Sequence, residues 1–224
     1  MAIVKAAIGL IAAGMLWAST PEFPVRHQHF DGTCQGVLTV NDSGIRFAGE
    51  KNHAWFWRYD EIQQLRLEPE KIRILSYKDS KLRLGADREF EFTGKLPVDD
   101  LFRLWTARMD QRFVAAIPTR EAEGFSIPVK HLGRIGGSQG VLSFGDQDVV
   151  YATAAGGESR HWRYKDIAGI SSTGPFQLTL TTFEQARSHY GDRKDFNFQL
   201  KQPIPEARYN QLWMAIERKS GRIQ

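Results

Sequence analysis

The 224-residue chain has a single cysteine, Cys34, so no disulfide can form within it and no multi-cysteine zinc cage can be built. Net charge is also scarce. Lys and Arg number 30 against 26 Asp and Glu, and the resulting +4 is too small to argue for a nucleic-acid partner. The sequence carries no phosphate-binding Gly-x-x-x-x-Gly-Lys loop and no His-Glu-x-x-His helix. Gly136-Gly137 and Gly156-Gly157 stand at turns and open no predicted helix, so a nucleotide loop has no support. The pairs Asp60-Glu61 and Asp99-Asp100 are sequence neighbours, which point apart on a strand, and the second fits a helix start. No cofactor is therefore expected. Hydrophobic residues at 42% and charged residues at 25% are those of a folded globular chain.

The amino-terminal apolar run, Ala6 to Ala18, is shorter than the roughly 20 residues of a bilayer-spanning helix. Lys5 precedes it, and the small residues Ala18, Ser19 and Thr20 follow. Residues 1–20 thus read as a secretory signal, with export to a periplasmic or extracellular space. An uncleaved membrane anchor is the alternative, since the cleavage site is imperfect.

The chain repeats itself with a period of about 105 residues. Val25-Arg26-His27 recurs as Val129-Lys130-His131, and Gly36-Val37-Leu38 as Gly140-Val141-Leu142. Trp57-Arg58-Tyr59 recurs as Trp162-Arg163-Tyr164, Phe90 and Phe92 as Phe196 and Phe198, and Leu104-Trp105 as Leu212-Trp213. The predicted domains are residues 21–112 and 125–224, with a linker over 113–124 around Pro118. Each copy reads as seven short strands and one helix. In the first, alternating segments begin with Val25–Phe30 and Cys34–Val40 around an Asp31-Gly32 hairpin turn, and the last is Glu89–Phe92. Pro97 and Pro205 open the helices, whose apolar stripes carry Leu101, Leu104 and Trp105 in one and Tyr209, Leu212, Trp213 and Ile216 in the other.

Seven strands and a capping helix with a tryptophan in its stripe resemble the pleckstrin-homology-like fold. The implied architecture is mainly β with C-terminal helices: two partly open seven-stranded barrels, each capped by one helix. The resemblance also implies binding of lipid head groups through clustered cations. The sequence departs from that pattern, with only Arg26 and Arg46 in the first copy and Lys130 and Arg134 in the second.

Three groups of residues are candidates for function. His27 and His29 share a strand face. With Asp31-Gly32 as the turn, His29 pairs with Cys34 and His27 with Gly36, and two imidazoles beside a thiolate are a zinc donor set. In the second copy Gly133 and Ser138 replace His29 and Cys34. What both copies share is an imidazole over a glycine, which reads as packing, so no resident metal is expected. Trp57 and Tyr59 share a face, as do Trp162 and Tyr164, while Arg58 and Arg163 point away. With Trp55 they form either an aromatic platform for a sugar or peptide or a structural cluster, and Ile62 and Ile167 at matching positions favour the second. Finally, residues 119–224 hold 14 basic and 11 acidic residues, against 15 and 15 in 21–118. The basic maximum, from Arg187 through Arg193 and Lys194, is predicted to be a hairpin tip suited to lipid head groups or acidic glycans. It matches the segment from Lys78 to Arg88.

The expectation is a non-catalytic binding or scaffold protein outside the cytoplasm, contacting a protein or the envelope surface. The alternatives are a metal-dependent enzyme using His27, His29 and Cys34, and an adaptor tethered by the first helix.

Overall fold

A computed structural model describes residues 21–29, 32–50, 53–80, 85–117, 124–133, 136–186 and 193–219. The expected signal, residues 1–20, lies outside them. No helix among the described residues is long and apolar enough to cross a membrane.

The chain is mainly β. Strands β1 (Glu22–His29), β2 (Gly32–Asn41), β3 (Gly44–Gly49), β4 (Ala54–Arg58), β5 (Ile62–Glu68), β6 (Lys71–Asp79) and β7 (Asp87–Thr93) precede helix α1 (Val98–Arg108). A short strand, β8 (Phe113–Ala115), follows. The rest of the chain forms β9 (Phe125–Leu132), β10 (Gly137–Phe144), β11 (Asp148–Thr153), β12 (Arg160–Arg163), β13 (Ile167–Ser171), β14 (Gln177–Gln185), β15 (Arg193–Leu200) and α2 (Glu206–Lys219). The alternation read from the sequence appears directly in burial. Along β6, Ile72, Ile74 and Ser76 are buried while their neighbours are not.

Among the described residues the ladder is one open sheet of 15 strands rather than two separate barrels. Its order is β13-β14-β15-β9-β10-β11-β12-β8-β5-β6-β7-β1-β2-β3-β4. On either side of β8 the order is the same, with β1 inserted beside β7 and β9 beside β15. The reason the sheet continues is β8. It pairs in parallel with β5, Leu65 to Phe113, and meets β12 at His161 and Ala115. Edge groups of β5 and β12 that would otherwise face solvent are satisfied there. The first residues of the expected linker are therefore core. Phe113, Val114, Ala115, Ala116 and Ile117 are all buried.

Two apolar clusters form, one around Leu38, Phe47, Ile72, Phe92 and Trp105, the other around Leu142, Tyr151, Leu180, Phe198 and Ile216. Gly36 and Gly140 occupy matching places. A Cβ on either would lie within 3 Å of the ring of Phe47 or Tyr151, so each glycine makes room for that ring. The helices differ. Trp105 is fully buried, whereas Trp213, expected on the buried stripe with Leu212 and Ile216, is 41% exposed. The reason is neighbourhood: α1 lies against β5 and β8, with the second half beside it, while α2 rests on β13 at the sheet edge.

Contacts between the halves are specific. The Arg163 guanidinium donates to the carbonyls of Thr106 (2.8 Å), Met109 (3.1 Å) and Asp110 (2.7 Å), satisfying the end of α1. Its other partner is Asp166 at 2.6 Å. The Phe102 and His161 rings lie 4.7 Å apart.

Candidate functional site

The strand ends at the β1–β2 turn carry the densest chemistry. The register there differs from the expected one by two residues. His29 pairs with Gly32, His27 with Cys34 and Val25 with Gly36. Because side chains alternate with a period of two, a slide of two residues keeps every side chain on its face but changes its neighbours.

His27 points into the core. It is 4% exposed, its Nδ1 lies 3.0 Å from the Glu91 carbonyl oxygen, and its ring is surrounded by Phe47, Trp55, Phe90 and Phe92. Burial lowers its pKa, with His29, Arg88 and His53 adding to the effect and the Glu91 hydrogen bond opposing it. His29 faces Cys34 instead, with Nε2 2.9 Å from Sγ. A third residue completes the group. His53, just before β4, brings a ring nitrogen so that one ligand atom from each of His29, Cys34 and His53 lies within 4.8 Å of the others. Cys34 is buried, while both imidazoles are half-buried. The patch of His27, His29 and Cys34 is thus corrected: His27 is a packing residue and His53 takes its place.

Two backbone hydrogen bonds hold His53. Its N–H donates to the Glu50 carbonyl at 3.1 Å, and its own carbonyl accepts from the Gly49 N–H at 2.7 Å. The Trp55 ring stacks on it with centroids 5.7 Å apart and planes at 26°. His53 belongs to no strand, so alternation gave no signal for it. Its position follows only from the β3–β4 pairing, in which Phe47 faces Trp55.

The expected aromatic platform is mostly interior. Trp57 and Trp162 are each 4% exposed, and Tyr164 is buried. The Tyr59 hydroxyl donates to the Asn41 carbonyl at 2.8 Å, and the Tyr164 hydroxyl donates to the Gly145 carbonyl. Burial pushes the Tyr164 phenol up to about 12, with Asp148 and Asp146 adding to the shift. Trp55 and Tyr59 are half-buried. Arg58 and Arg163 do point away and find carboxylates, Asp60 and Asp166.

Of the expected basic tip, Arg187 lies outside the described residues. Arg193 is exposed, with its guanidinium carbon 4.8 Å from the Phe183 ring centroid. Lys194 is committed internally, its ammonium 3.0 Å from Glu184. Burial lowers its pKa, Glu184 opposes this, and Arg160 and Arg66 add to the lowering.

Glu184 is the centre of a buried ion cluster that alternation alone could not reveal. Arg160 approaches it at 2.9 and 3.1 Å, and Arg66 from β5 at 2.8 Å. Burial by itself would raise the carboxyl, but the charges of Arg160, Lys194 and Arg66 outweigh it and hold the group down to about 2. Arg66 and Arg160 also both donate to the Gly157 carbonyl. The cluster ties the halves together.

No family model matches the chain, and no curated protein is similar to it at a significant level. Among solved structures, it overlaps the C-terminal domain of an unknown protein from Leishmania infantum, with 15% identity and a TM-score of 0.30, over 39% of this chain and 80% of that one. It also overlaps a chain of the Spt16D Pob3N heterodimer, with 11% identity and a TM-score of 0.32, over 84% of this chain and 99% of that one.

Proposed function

We propose that the protein is a non-catalytic binding scaffold that works outside the cytoplasm and is built from two pleckstrin-homology-like halves. The observation that carries this reading is the fusion of two equally ordered seven-strand units. β8 and the Arg66–Glu184–Arg160 cluster join them into a body with a fixed relation between its two faces. The ion cluster makes any hinge between the halves costly, because separating them would leave buried charge uncompensated. A second observation agrees. Strongly shifted groups commonly mark catalytic sites. Here Glu184, Asp166 and Tyr164 each serve a structural partner: Arg160, Arg163 and the Gly145 carbonyl. The expected partner is a protein or the envelope surface, and nucleic acid has no charge argument behind it.

Photo-crosslinking in cells tests this reading. Phe56, Trp213 and Met214 are exposed large apolar residues at which a crosslinker can be placed. One reproducible adduct from an extracytoplasmic fraction is expected. Absence of an adduct at all three positions, together with turnover of substrates in a hydrolase panel, would overturn it. The mature amino terminus, read by mass spectrometry, separates export from tethering: a start near Pro21 in the soluble exported fraction supports the former, and an intact Met1 in the membrane pellet supports the adaptor.

A further inference from the structure

We infer that His29, Cys34 and His53 form a binding site for one transition-metal ion, zinc(II), at the rim of the first half. The donor set is the first ground. Two neutral imidazoles and a thiolate are borderline-to-soft ligands, which select zinc over calcium or magnesium. The geometry is the second. The three ligand atoms lie within 4.8 Å of one another, and the closest pair, His29 Nε2 and Cys34 Sγ, is 2.9 Å apart. Small rotations of side chains set the three donors around a single ion about 2.0–2.3 Å from each.

The third ground is an unexplained nitrogen. His53 Nδ1 is buried and has no hydrogen-bond partner among the described residues. Buried polar atoms are nearly always partnered, and an orphan of this kind points to an ion or water. A plain Cys34–His29 hydrogen bond accounts for two members of the group and leaves the third idle. Binding of zinc by all three gives the His53 ring a role.

The surroundings suit a metal. The His27 ring meets the His29 ring edge-on at 4.5 Å, and Trp55 stacks on His53, so neither imidazole swings freely. Such an apolar shell orients ligands and limits water. Binding replaces the thiol proton: zinc(II) and Cys34 S–H give a zinc–thiolate and one proton released to solvent, with both imidazoles binding as neutral rings. Three protein ligands leave the fourth position of a tetrahedral ion to water.

The second half supplies an internal contrast. Gly133, Ser138 and Glu158 stand where His29, Cys34 and His53 stand in the first half. The Ser138 hydroxyl is already bonded to the Tyr151 hydroxyl at 2.8 Å. Among the described residues no thiol stands there and His131 is the single imidazole beside Glu158, so one zinc per chain is expected rather than two.

Zinc titration of the tag-free, chelator-treated chain against a chromophoric competitor tests the site. One ion per chain is expected, with affinity at least tenfold weaker in both Cys34→Ser and His53→Ala, and unchanged in Ser138→Ala. Affinity unchanged by either of the first two substitutions overturns the three-ligand site, as does a stoichiometry of zero. Cobalt(II) loading of the wild-type chain needs no variant and stays informative if a variant misfolds. A thiolate-to-cobalt charge-transfer band with the strong visible bands of tetrahedral cobalt supports the site. Their absence in a chain exposed to cobalt overturns it. Neither outcome bears on the crosslinking result, so the scaffold reading stands or falls separately.

Discussion

The two halves place different chemistry on the same backbone positions. The first half has Cys34 on β2, Phe47 on β3, Trp55 on β4 and Arg88 on β7; at the matching places on β10, β11, β12 and β15 the second has Ser138, Tyr151, Arg160 and Lys194. One half fills the space with rings and a thiol, with Arg88 4.6 Å from the Phe90 centroid. The other fills it with buried charge around Glu184, with Lys194 4.6 Å from the Phe196 centroid. The cation over the phenylalanine survives while everything near it changes. A sheet of this kind specifies where a side chain points, not what it is, as long as volume is filled and buried polar groups are paired. The consequence is a division of labour: the second half's end is sealed by ion pairs that reach the first half, and the first half's end gathers two imidazoles and a thiol.

That division predicts unequal responses to matched substitutions. The largest effect is expected at Glu184. Glu184→Gln leaves Arg160 buried without its counter-charge and should cost about 3–5 kcal/mol in urea unfolding, whereas Lys78→Gln, at the corresponding exposed place, should cost within about 0.5 kcal/mol. Equal losses would mean the cluster is not the joint between the halves. The same carboxyl gives a pH dependence. Its folded pKa of about 2 lies below the ordinary 4.5, so its stabilisation is complete above pH 4.5 and is lost as pH falls toward 2. The loss should be on the order of 3 kcal/mol and absent from Glu184→Gln, as acid titration of the unfolding midpoint would show.

The helices sharpen the same contrast. Trp105→Ala should destabilise by about 3 kcal/mol or more, and Trp213→Ala by under about 1 kcal/mol, although both tryptophans follow a leucine in matching helices. Thermal denaturation of the pair would decide it. A smaller difference is expected between the arginines. Arg163→Ala removes three hydrogen bonds to the end of α1 and should cost about 1.5–3 kcal/mol. Arg58→Ala removes an exposed pair with Asp60 and should cost about 0.5 kcal/mol or less. A hydrogen-exchange experiment should also find the last turn of α1 less protected in Arg163→Ala alone.

Much of this was legible locally. The strand segments were visible because alternation is a property of neighbouring residues, and α1 follows Pro97 as its opening implied. The rim site was half legible. His29 and Cys34 were placed on one face correctly even though the hairpin register differed by two residues. His53 escaped because it lies outside any strand, just before β4, where no period marks which residues point inward. Glu184 escaped for another reason: on β14 it occupies an inward position, and alternation cannot say which cations from β5, β12 and β15 will surround it.

The sequence by itself determined the β-rich character, the inward face of each strand and the terminal helices, because side-chain period and turn chemistry act over a few residues. Tertiary structure alone decided that the sheet runs on through β8, that Trp105 is buried and Trp213 is not, and that His53 joins His29 and Cys34. Each of these depends on which surfaces remain to be covered once the strands have paired, and that is settled by packing between residues far apart in the chain.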